Sequence, residues 1–395
     1  MKNRFVFITK DAMCKCYLPV YGNKSIATPN IDELANKGTI FNRFYTVAPS
    51  TAMSAIGMFL GIYPFQTDHK KYEHVREEKN TFFDQMYNNG YDCHILWDQC
   101  DIDLTKDYSK CYGNAKFHII DVDQVVGTHN LYKNEIKNDE DLAHETLNTI
   151  INAINEIFVE MKKNEKSFLW IHLPQVLKGR SCYGTDIDLF DSVIGCLRKL
   201  FNDDEIYISS DHGNMNGCKN KIQYGFDLYE NAINIPLITP KIEGLNKCDV
   251  LLSNKDISSI FNGVIPNEKF IVSDTAYYAQ PHRKLCIIFG KYKYIYNKKT
   301  DTEELYDLEF DPSEECNIIS KTKYDSDRKI YTVLSQVYYY PSWEESQEAL
   351  KEMKKYFATI WRKESLFEKC VEYFRLKGQI LKRRIKQRRA KREHE

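Results

Sequence analysis

One stretch of the chain, residues 206–213, reads Ile206-Tyr207-Ile208-Ser209-Ser210-Asp211-His212-Gly213. Its apolar start predicts a short buried strand, and its polar end places an acid and an imidazole directly after that strand. A carboxylate oxygen and an imidazole nitrogen in this position can bind one metal ion together. A polar string after a strand is also typical of a plain turn, so a metal site here requires ligands from other segments.

The segments around this stretch repeat an alternation of short apolar strands and helical patterns. Strands are predicted at residues 5–8, 93–97, 168–171 and 206–209, and helices at residues 28–38, 82–89, 142–161 and 183–200. The helix over residues 28–38 has Pro29 near its start and Gly38 at its end, which are typical helix boundaries. This alternation predicts an α/β fold, with a mainly parallel sheet between layers of helices and residues 5–8 as its central strand.

The character of the chain changes towards its C-terminus. The apolar residues 285–289 and the tyrosine-rich residues 292–296 flank Gly290-Lys291, which predicts an antiparallel hairpin. After Pro341 the chain becomes helical in pattern and highly charged. We therefore predict a catalytic α/β domain at 1–270, a small antiparallel subdomain packed on it at 271–320, and a helical, basic extension at 321–395.

Composition excludes some classes of protein. The 395 residues contain 55 Lys plus Arg and 56 Asp plus Glu, so the overall charge indicates neither a nucleic-acid partner nor a strongly acidic one. The N-terminus is too short in apolar residues for a signal peptide, and no run approaches membrane length. The 12 cysteines are scattered, with Cys14-x-Cys16 the closest pair, which is typical of reduced thiols and predicts a cytoplasmic protein.

The basic stretch Lys382 to Arg392 is the one strong local charge, with eight basic residues in eleven. It could attract an anionic membrane surface, a polyanion or an acidic partner, which would make the protein peripheral to the membrane. A solvated, frayed helix end is the alternative interpretation.

Three segments of the chain contain residues that could together form one metal-binding active site. Asp11 follows the first predicted strand and Asp211-His212 follows the strand at 206–209, so both belong to the carboxyl edge of the sheet, where ligands bind in open α/β folds. In the third segment, Ser50-Thr51 precedes an apolar helix that runs to Gly61. A hydroxyl there would lie among backbone N–H groups that favour an anion, although Ser50 or Thr51 could also be a simple N-cap.

These segments resemble a known family. The run Thr28-Pro29-Asn30-Ile31-Asp32-x-Leu34-Ala35-x-x-Gly38, followed by Gly61-Ile62-Tyr63-Pro64, looks like the N-terminal signature of sulfatases within the alkaline phosphatase superfamily. The pattern of residues 183–195, Ser210-Asp211-His212-Gly213 and the motifs at 291–314 resemble later landmarks of the same family, in order. The resemblance covers about residues 3–318 and implies an alkaline-phosphatase-like fold.

The resemblance also implies the site residues. The sulfatase nucleophile lies ten residues before the Gly of the Gly-x-Tyr-Pro element, which is Thr51 here. Sulfatases use a Cys, or sometimes a Ser, that is converted to formylglycine, with an Arg four residues later, whereas this chain has Thr51 and Ala55. Because Thr cannot give formylglycine, the usual route of sulfate-ester hydrolysis is disfavoured. The segment Ser50-Thr51-Ala52-Met53-Ser54 instead resembles the Thr-nucleophile segment of phosphoethanolamine transferases, and lipoteichoic-acid synthases also use Thr.

The expected cofactor is one divalent metal ion, bound by Asp11, Asp211, His212 and the oxygen of Thr51. Sulfatases often have a second Asp where this chain has Ala12, so we expect one metal, and Mn²⁺, Mg²⁺, Ca²⁺ and Zn²⁺ all suit this mixed ligand set. Further residues are predicted to bind the substrate: Ser50, His172, Arg180, Lys219 and Lys221. For His172 a hydrogen-bonded packing role is the alternative, and for both lysines a solvated loop position.

The sequence thus predicts a metal-dependent phosphotransferase or phosphodiesterase that forms a covalent phospho-Thr51 and adds a phospho-alcohol group to a glycan or its precursor. One alternative is a sulfatase-like hydrolase of sulfate or phosphonate esters that works without formylglycine. A second is an inactive relative used for binding. The expected partner is a small-molecule or glycan ester, without nucleic acid.

Overall fold

The computed structural model describes residues 2–66, 81–98, 112–120, 139–175, 183–275, 283–319 and 321–361. Within these ranges its strands are β1 (Arg4–Lys10), β2 (Thr39–Phe41), β3 (Phe44–Tyr45), β4 (Asp92–Asp98), β5 (Lys116–Ile120), β6 (Ser167–Leu173), β7 (Ile206–Ser210), β8 (Leu237–Thr239), β9 (Lys247–Cys248), β10 (Leu252–Ser253), β11 (Ile271–Asp274), β12 (Lys284–Phe289), β13 (Tyr292–Asn297), β14 (Thr302–Asp307), β15 (Tyr324–Asp325), β16 (Ile330–Val333) and β17 (Gln336–Tyr339). Its α-helices are α1 (Pro29–Lys37), α2 (Thr51–Leu60), α3 (Phe82–Asn88), α4 (Asp139–Met161), α5 (Tyr183–Leu200), α6 (Glu230–Ile233), α7 (Ile257–Phe261) and α8 (Trp343–Ile360).

The main sheet confirms the predicted α/β class. Its eight strands lie in the order β5-β4-β6-β1-β7-β8-β2-β9, and the five from β5 to β7 are parallel. β1 is central, as predicted, and Thr9 on this strand lies opposite His172 on β6 and Ser209 on β7. Because the three strands run in register, their carboxyl ends finish side by side and whatever follows them meets at one edge.

The two faces of the sheet carry two separate hydrophobic cores because side chains alternate along each strand. Val6 and Ile8 point into a core with helices α1, α4 and α5. Phe5 and Phe7 point the other way, into an aromatic core that contains residues of α2, α3 and α7. Burial of both faces explains why the parallel strands are continuous apolar runs in the sequence.

A second sheet confirms the predicted C-terminal hairpin. Its order is β11-β12-β13-β14, entirely antiparallel, and Phe289 on β12 pairs with Tyr292 on β13 across a turn in which Gly290 has φ of 54°. One face of this sheet packs against helix α8, which contributes Met353 and Phe357. The other face packs on residues that follow β7, including Leu228 and Ile233.

A buried ion cluster also links this sheet to the main domain. Nζ of Lys293, on β13, lies 2.8 Å from Oε1 of Glu314 and 3.1 Å from Oε1 of Glu230, on helix α6. The Glu230 N–H donates to Oε2 of Glu314 at 2.7 Å. Burial raises the pKa of the Glu314 carboxyl to about 7, against the opposing effect of Lys293, so Glu314 remains partly protonated near neutral pH.

Part of the C-terminal region differs from the helical extension predicted at 321–395. Strands β15, β16 and β17 form a small antiparallel sheet before the helix that begins at Trp343. These strands have only two to four residues each, and the prediction of a helical extension overlooked the β-branched and aromatic residues in Ile330–Val333 and Gln336–Tyr339. The division at residues 270 and 320 stays a prediction. Within the described ranges, no helix is both long and apolar enough to cross a bilayer.

Candidate active site

Three of the predicted ligands meet at the carboxyl edge of the main sheet. Asp11 follows β1, Asp211 and His212 follow β7, and all three are almost completely buried. One ligand atom from each residue lies within 4.8 Å of the other two. Nε2 of His212 lies 3.5 Å from Oδ1 of Asp11 and 3.4 Å from Oδ2 of Asp211. Strand register therefore produces the arrangement that the sequence predicted.

The hydrogen bonds of His212 determine which of its nitrogens faces this group. Nδ1 lies 2.8 Å from the carbonyl oxygen of Gly213, to which it donates a proton. Because that contact fixes the tautomer, Nε2 carries the lone pair and directs it towards the two carboxylates. The ring also packs against Tyr224, with centroids 4.6 Å apart, so its orientation is constrained on both sides.

Asp211 provides the test of whether a cation fits here. Its Oδ1 accepts hydrogen bonds from the backbone N–H groups of Ala12, at 3.0 Å, and His212, at 2.7 Å. Its Oδ2 is buried and accepts none from the described residues. A buried carboxylate oxygen beside a second carboxylate and an imidazole lone pair is costly unless a cation satisfies it. The donor set thus fits one divalent metal ion.

Gly213 allows the backbone of helix α6 to come close to the segment that follows β7. A Cβ on Gly213 would overlap the carbonyl oxygen of Asn231, while its own N–H donates to the Ala232 carbonyl at 2.9 Å. Only glycine permits this close approach of helix α6, which explains the last residue of the 210–213 tetrapeptide.

Thr51 lies at the first position of helix α2 and faces the same group. Its Oγ1 is 3.4 Å from Nε2 of His212. Ser50 occupies the N-cap position, which was one of the two alternatives, but its buried side chain makes no capping hydrogen bond. The Ser54 N–H begins the helical ladder by donating to Ser50, so the N–H groups before it remain directed towards the helix entrance.

Two residues that sequence reasoning missed connect helix α2 by hydrogen bonds to the segment of the candidate metal ligands. Ser54 Oγ donates to the carbonyl oxygen of Asp211 at 2.6 Å, and Asn254 Nδ2 donates to Ser54 Oγ at 2.8 Å. The same Asn254 accepts from the Val47 N–H at 3.0 Å and donates to Thr46 Oγ1 at 3.1 Å. No local signal in the sequence could pair Asn254 with this segment, because the contacts are about 200 residues apart.

His172 lies at the end of β6, beside the site. Its Nδ1 is 2.9 Å from Thr9 Oγ1, which also accepts from Trp170 Nε1 at 3.0 Å, and its Nε2 is 4.0 Å from Oδ2 of Asp211. Burial lowers the pKa of this imidazole despite the nearby Asp211 and Asp11 carboxylates, which favours the neutral ring. The structure therefore brings His172 to the edge of the metal group, with its ring oriented by Thr9.

The predicted substrate-binding cations are held elsewhere. Lys219 donates to the carbonyl oxygen of Glu314 and forms an ion pair with Glu315 at 3.3 Å, and Lys221 pairs with Asp227 at 3.0 Å. Arg180 lies outside the described residues, as does the basic stretch 382–392. Lys10, which sequence reasoning did not select, is buried next to Asp11.

The Lys10 ammonium lies 2.8 Å from Oδ2 of Asp186 and 2.8 Å from the carbonyl oxygen of Pro174. This ion pair is 2% and 6% exposed at its two side chains, so it is a buried connection between β1 and helix α5. A lysine at the end of an otherwise apolar strand was the available signal for it.

A second group of ligand-type residues, His94, His118 and Glu160, has a different geometry. His94 Nδ1 and His118 Nε2 are 2.9 Å apart, their centroids are 5.2 Å apart, and their planes differ by 21°. The rings therefore meet edge to edge, nitrogen against nitrogen, as in an N–H···N hydrogen bond, while His94 Nε2 contacts Asp92 at 3.0 Å. The two nitrogens point at each other and cannot both direct a lone pair at one metal ion. His118, His94 and Asp92 therefore form a hydrogen-bonded chain.

Comparisons with known proteins give a matching family model and similar folds. Residues 3–241 match the family model described as Sulfatase. Over 63 residues, 16% of this chain, the sequence is 36% identical to "Uncharacterized sulfatase YidJ" of Escherichia coli (strain K12), and this match spans 13% of that protein's length.

Solved structures share the fold over most of the chain. A 2-O GAG sulfatase superposes with a TM-score of 0.65 at 14% identity, covering 91% of this chain and 93% of that one. The phosphonate monoester hydrolase of Agrobacterium radiobacter gives a TM-score of 0.62 at 13% identity, covering 91% and 96%. A protein solved with its substrate D-glucosamine-2-N,6-O-disulfate gives 0.56 at 16% identity, covering 90% and 98%. At these identities the likeness concerns the fold.

Proposed function

The chain belongs to the sulfatase family of ester-cleaving enzymes, and from this premise we propose that it is a metal-dependent phosphotransferase or phosphodiesterase that forms a covalent phospho-Thr51. The observation that supports this proposal most directly is the 3.4 Å distance between Thr51 Oγ1 and His212 Nε2. This distance leaves an unmodified hydroxyl beside the candidate metal group, which supports a nucleophilic role for Thr51.

The metal ion would be held by Asp11, Asp211 and His212, with the Thr51 oxygen next to it. When bound, such an ion lowers the pKa of a hydroxyl and screens the charge on phosphoryl oxygens. The ligand set of two carboxylates and one imidazole suits Mn²⁺, Mg²⁺, Ca²⁺ and Zn²⁺. Ala12 offers no second carboxylate beside Asp11, which supports a single ion.

The protein's own groups then account for the two half-reactions. In the first, the Thr51 oxygen displaces an alcohol from phosphorus, and the entrance of helix α2 directs backbone N–H groups and its positive dipole end to the phosphoryl oxygens. In the second, water or an acceptor hydroxyl displaces Thr51 and restores its side chain. Ser54 and Asn254 hold the helix in register with Asp211 throughout.

A sulfatase-like hydrolase of phosphonate or sulfate esters is the second candidate. The structural likeness to a phosphonate monoester hydrolase supports it, since phosphonate esters also present a tetrahedral anion. Sulfate esters are less suited, because Thr51 cannot give formylglycine and Ala55 replaces the usual Arg. An inactive binding relative does not explain why a hydroxyl, two carboxylates and an imidazole converge.

The substrate class and location are part of the same proposal. Two structural neighbours are described with sulfated sugars or glycans, which supports a glycan or its precursor as the ester substrate or acceptor. We place the reaction in the cytoplasm because of the scattered cysteines, with the stretch Lys382 to Arg392 as a contact for an anionic membrane or an acidic partner.

Trapping the covalent adduct tests the proposal. The protein is mixed with Mn²⁺ and bis(p-nitrophenyl) phosphate, quenched in acid, and digested for mass spectrometry. We expect a phosphoryl adduct on Thr51 in the wild type and none in Thr51→Ala. The matched control Thr359→Ala, which changes an exposed threonine on helix α8, should label like the wild type.

Parallel reactions distinguish the two candidates. If p-nitrophenyl phenylphosphonate or p-nitrophenyl sulfate turns over faster than the diester, the second candidate is correct. If neither ester class labels or turns over with any of the four metals, both candidates are wrong.

A further inference from the structure

Two cysteines lie in the segment that continues from the metal ligand Asp11. This segment is fastened to the end of β7, because Ala12 N–H donates to Asp211 Oδ1 and Met13 N–H donates to Ser210 Oγ. Cys14 then precedes a single turn of 3₁₀ helix, Lys15–Tyr17, that contains Cys16. Both thiols are therefore held on an ordered turn next to the metal group.

The two sulfur atoms are in direct contact. Cys14 Sγ and Cys16 Sγ are 2.6 Å apart, and a disulfide requires about 2.05 Å. Cys14 is 2% exposed, whereas Cys16 is solvent-exposed. The pair thus has one sulfur that a reagent in solution can reach and one that only its neighbour can reach.

The environments of the two thiols are chemically unequal. The hydrogen bond from Cys14 lowers the pKa of Cys16, and the Lys15 ammonium adds to that effect. The same hydrogen bond, together with burial, raises the pKa of Cys14 well above its usual value. This asymmetry is the one that thiol–disulfide exchange uses, with an accessible thiolate as the attacking group and a protonated thiol behind it.

We propose that Cys14 and Cys16 form a reactive dithiol site that low-molecular-weight disulfides oxidise to an intramolecular disulfide. The Cys16 thiolate attacks a sulfur of the small disulfide, forms a mixed disulfide and releases one small thiolate. Cys14 Sγ then attacks Cys16 Sγ, and the second small thiolate leaves and takes up the Cys14 proton. The protein dithiol gives up two electrons, and the small disulfide is reduced to two thiols.

The other described thiols are poor competitors. Burial raises the pKa of Cys93 and of Cys316 to about 12 each, and it also raises the pKa of Cys248 and Cys286. Cys196, half-buried on helix α5, has no thiol neighbour among the described residues and serves as the reference.

The site can be tested by its tryptic peptides. Trypsin cleaves after Lys10, Lys15 and Lys24, so the two cysteines fall in the separate peptides 11–15 and 16–24. The full-length protein is treated with 2-hydroxyethyl disulfide at neutral pH, alkylated and digested. We expect peptides 11–15 and 16–24 joined by a disulfide in the wild type, forming at least about tenfold faster than any adduct on Cys196.

Three variants make the result specific, with circular dichroism to confirm folding. Cys14→Ser should stop at a mixed disulfide on Cys16, and Cys16→Ser should give neither the adduct nor the joined peptides. Cys196→Ser should behave like the wild type. The proposal is overturned if the wild type gives no joined peptides, or if Cys14→Ser gives no mixed disulfide on Cys16.

Discussion

Thr51 Oγ1 lies 3.4 Å from His212 Nε2, so the first residue of helix α2 contacts the segment that directly follows strand β7. We expect His212→Gln to weaken Mn²⁺ binding by more than about 100-fold, because it removes the only nitrogen ligand of the group. Thr51→Val, which keeps both carboxylates and the imidazole, should weaken binding by less than about tenfold. Isothermal titration calorimetry with Mn²⁺ measures both. If His212→Gln binds Mn²⁺ as tightly as the wild type, His212 is not a ligand.

Ser54 should matter for stability although it touches no metal ligand side chain. In Ser54→Ala the buried Asp211 carbonyl and Asn254 amide lose a partner, so the free energy of unfolding should fall by about 1–3 kcal/mol. Ser192→Ala is the matched control, since Ser192 makes the same type of side-chain bond on an exposed helix surface. That control should change stability by less than about 0.5 kcal/mol in urea unfolding. A similar loss in both variants would contradict this account.

Gly213→Ala should be far more damaging than an ordinary glycine replacement. The added methyl group overlaps the Asn231 carbonyl, so His212 or helix α6 must move, at a cost of about 2 kcal/mol or more. Gly184, on helix α5, has open space around its Cβ position, and Gly184→Ala should be neutral or slightly stabilising. Thermal unfolding with and without Mn²⁺ measures both effects. If Gly213→Ala keeps the wild-type stability and its metal-induced stabilisation, the close approach is not required.

The buried Glu314 should make stability depend on pH. Its pKa is about 7 in the folded protein, above the ordinary value of 4.5 in the unfolded chain, so folding favours the protonated form. The contribution is therefore fully present below about pH 4.5 and is lost as the pH rises through about 7. Glu314→Gln, which stays neutral, should gain stability relative to the wild type between about pH 5 and about pH 8. Urea unfolding across that range measures the difference, and a constant offset would refute the prediction.

Much of the site followed from local patterns. Asp11, Asp211 and His212 were predictable because each follows a short apolar run, and the ends of neighbouring parallel strands must meet. The location of Thr51 beside His212 agrees with its spacing to Gly61 in the family resemblance, and its role as nucleophile stays a prediction.

The rest of the site depended on contacts without a local signature. Ser54 and Asn254 are paired only by the folded chain. His172 has the hydrogen bond to Thr9 that its packing alternative describes, and its substrate-binding role stays a prediction. Lys219 had the right residue type, but the structure pairs it with Glu315. Strands β15 to β17 have only two to four residues each, which is too short for periodicity to reveal them.

The contacts of Asn254 also bear on the order of events during synthesis. Because Asn254 hydrogen-bonds to both Val47 and Ser54, the segment around Thr51 lacks these bonds until about 200 further residues have been translated. A ribosome-bound chain that ends before Asn254 can contain every proposed metal ligand and still lack the fixed threonine. The hydrogen bonds that hold the start of helix α2 beside Asp211 can therefore form only after residue 254 has been added.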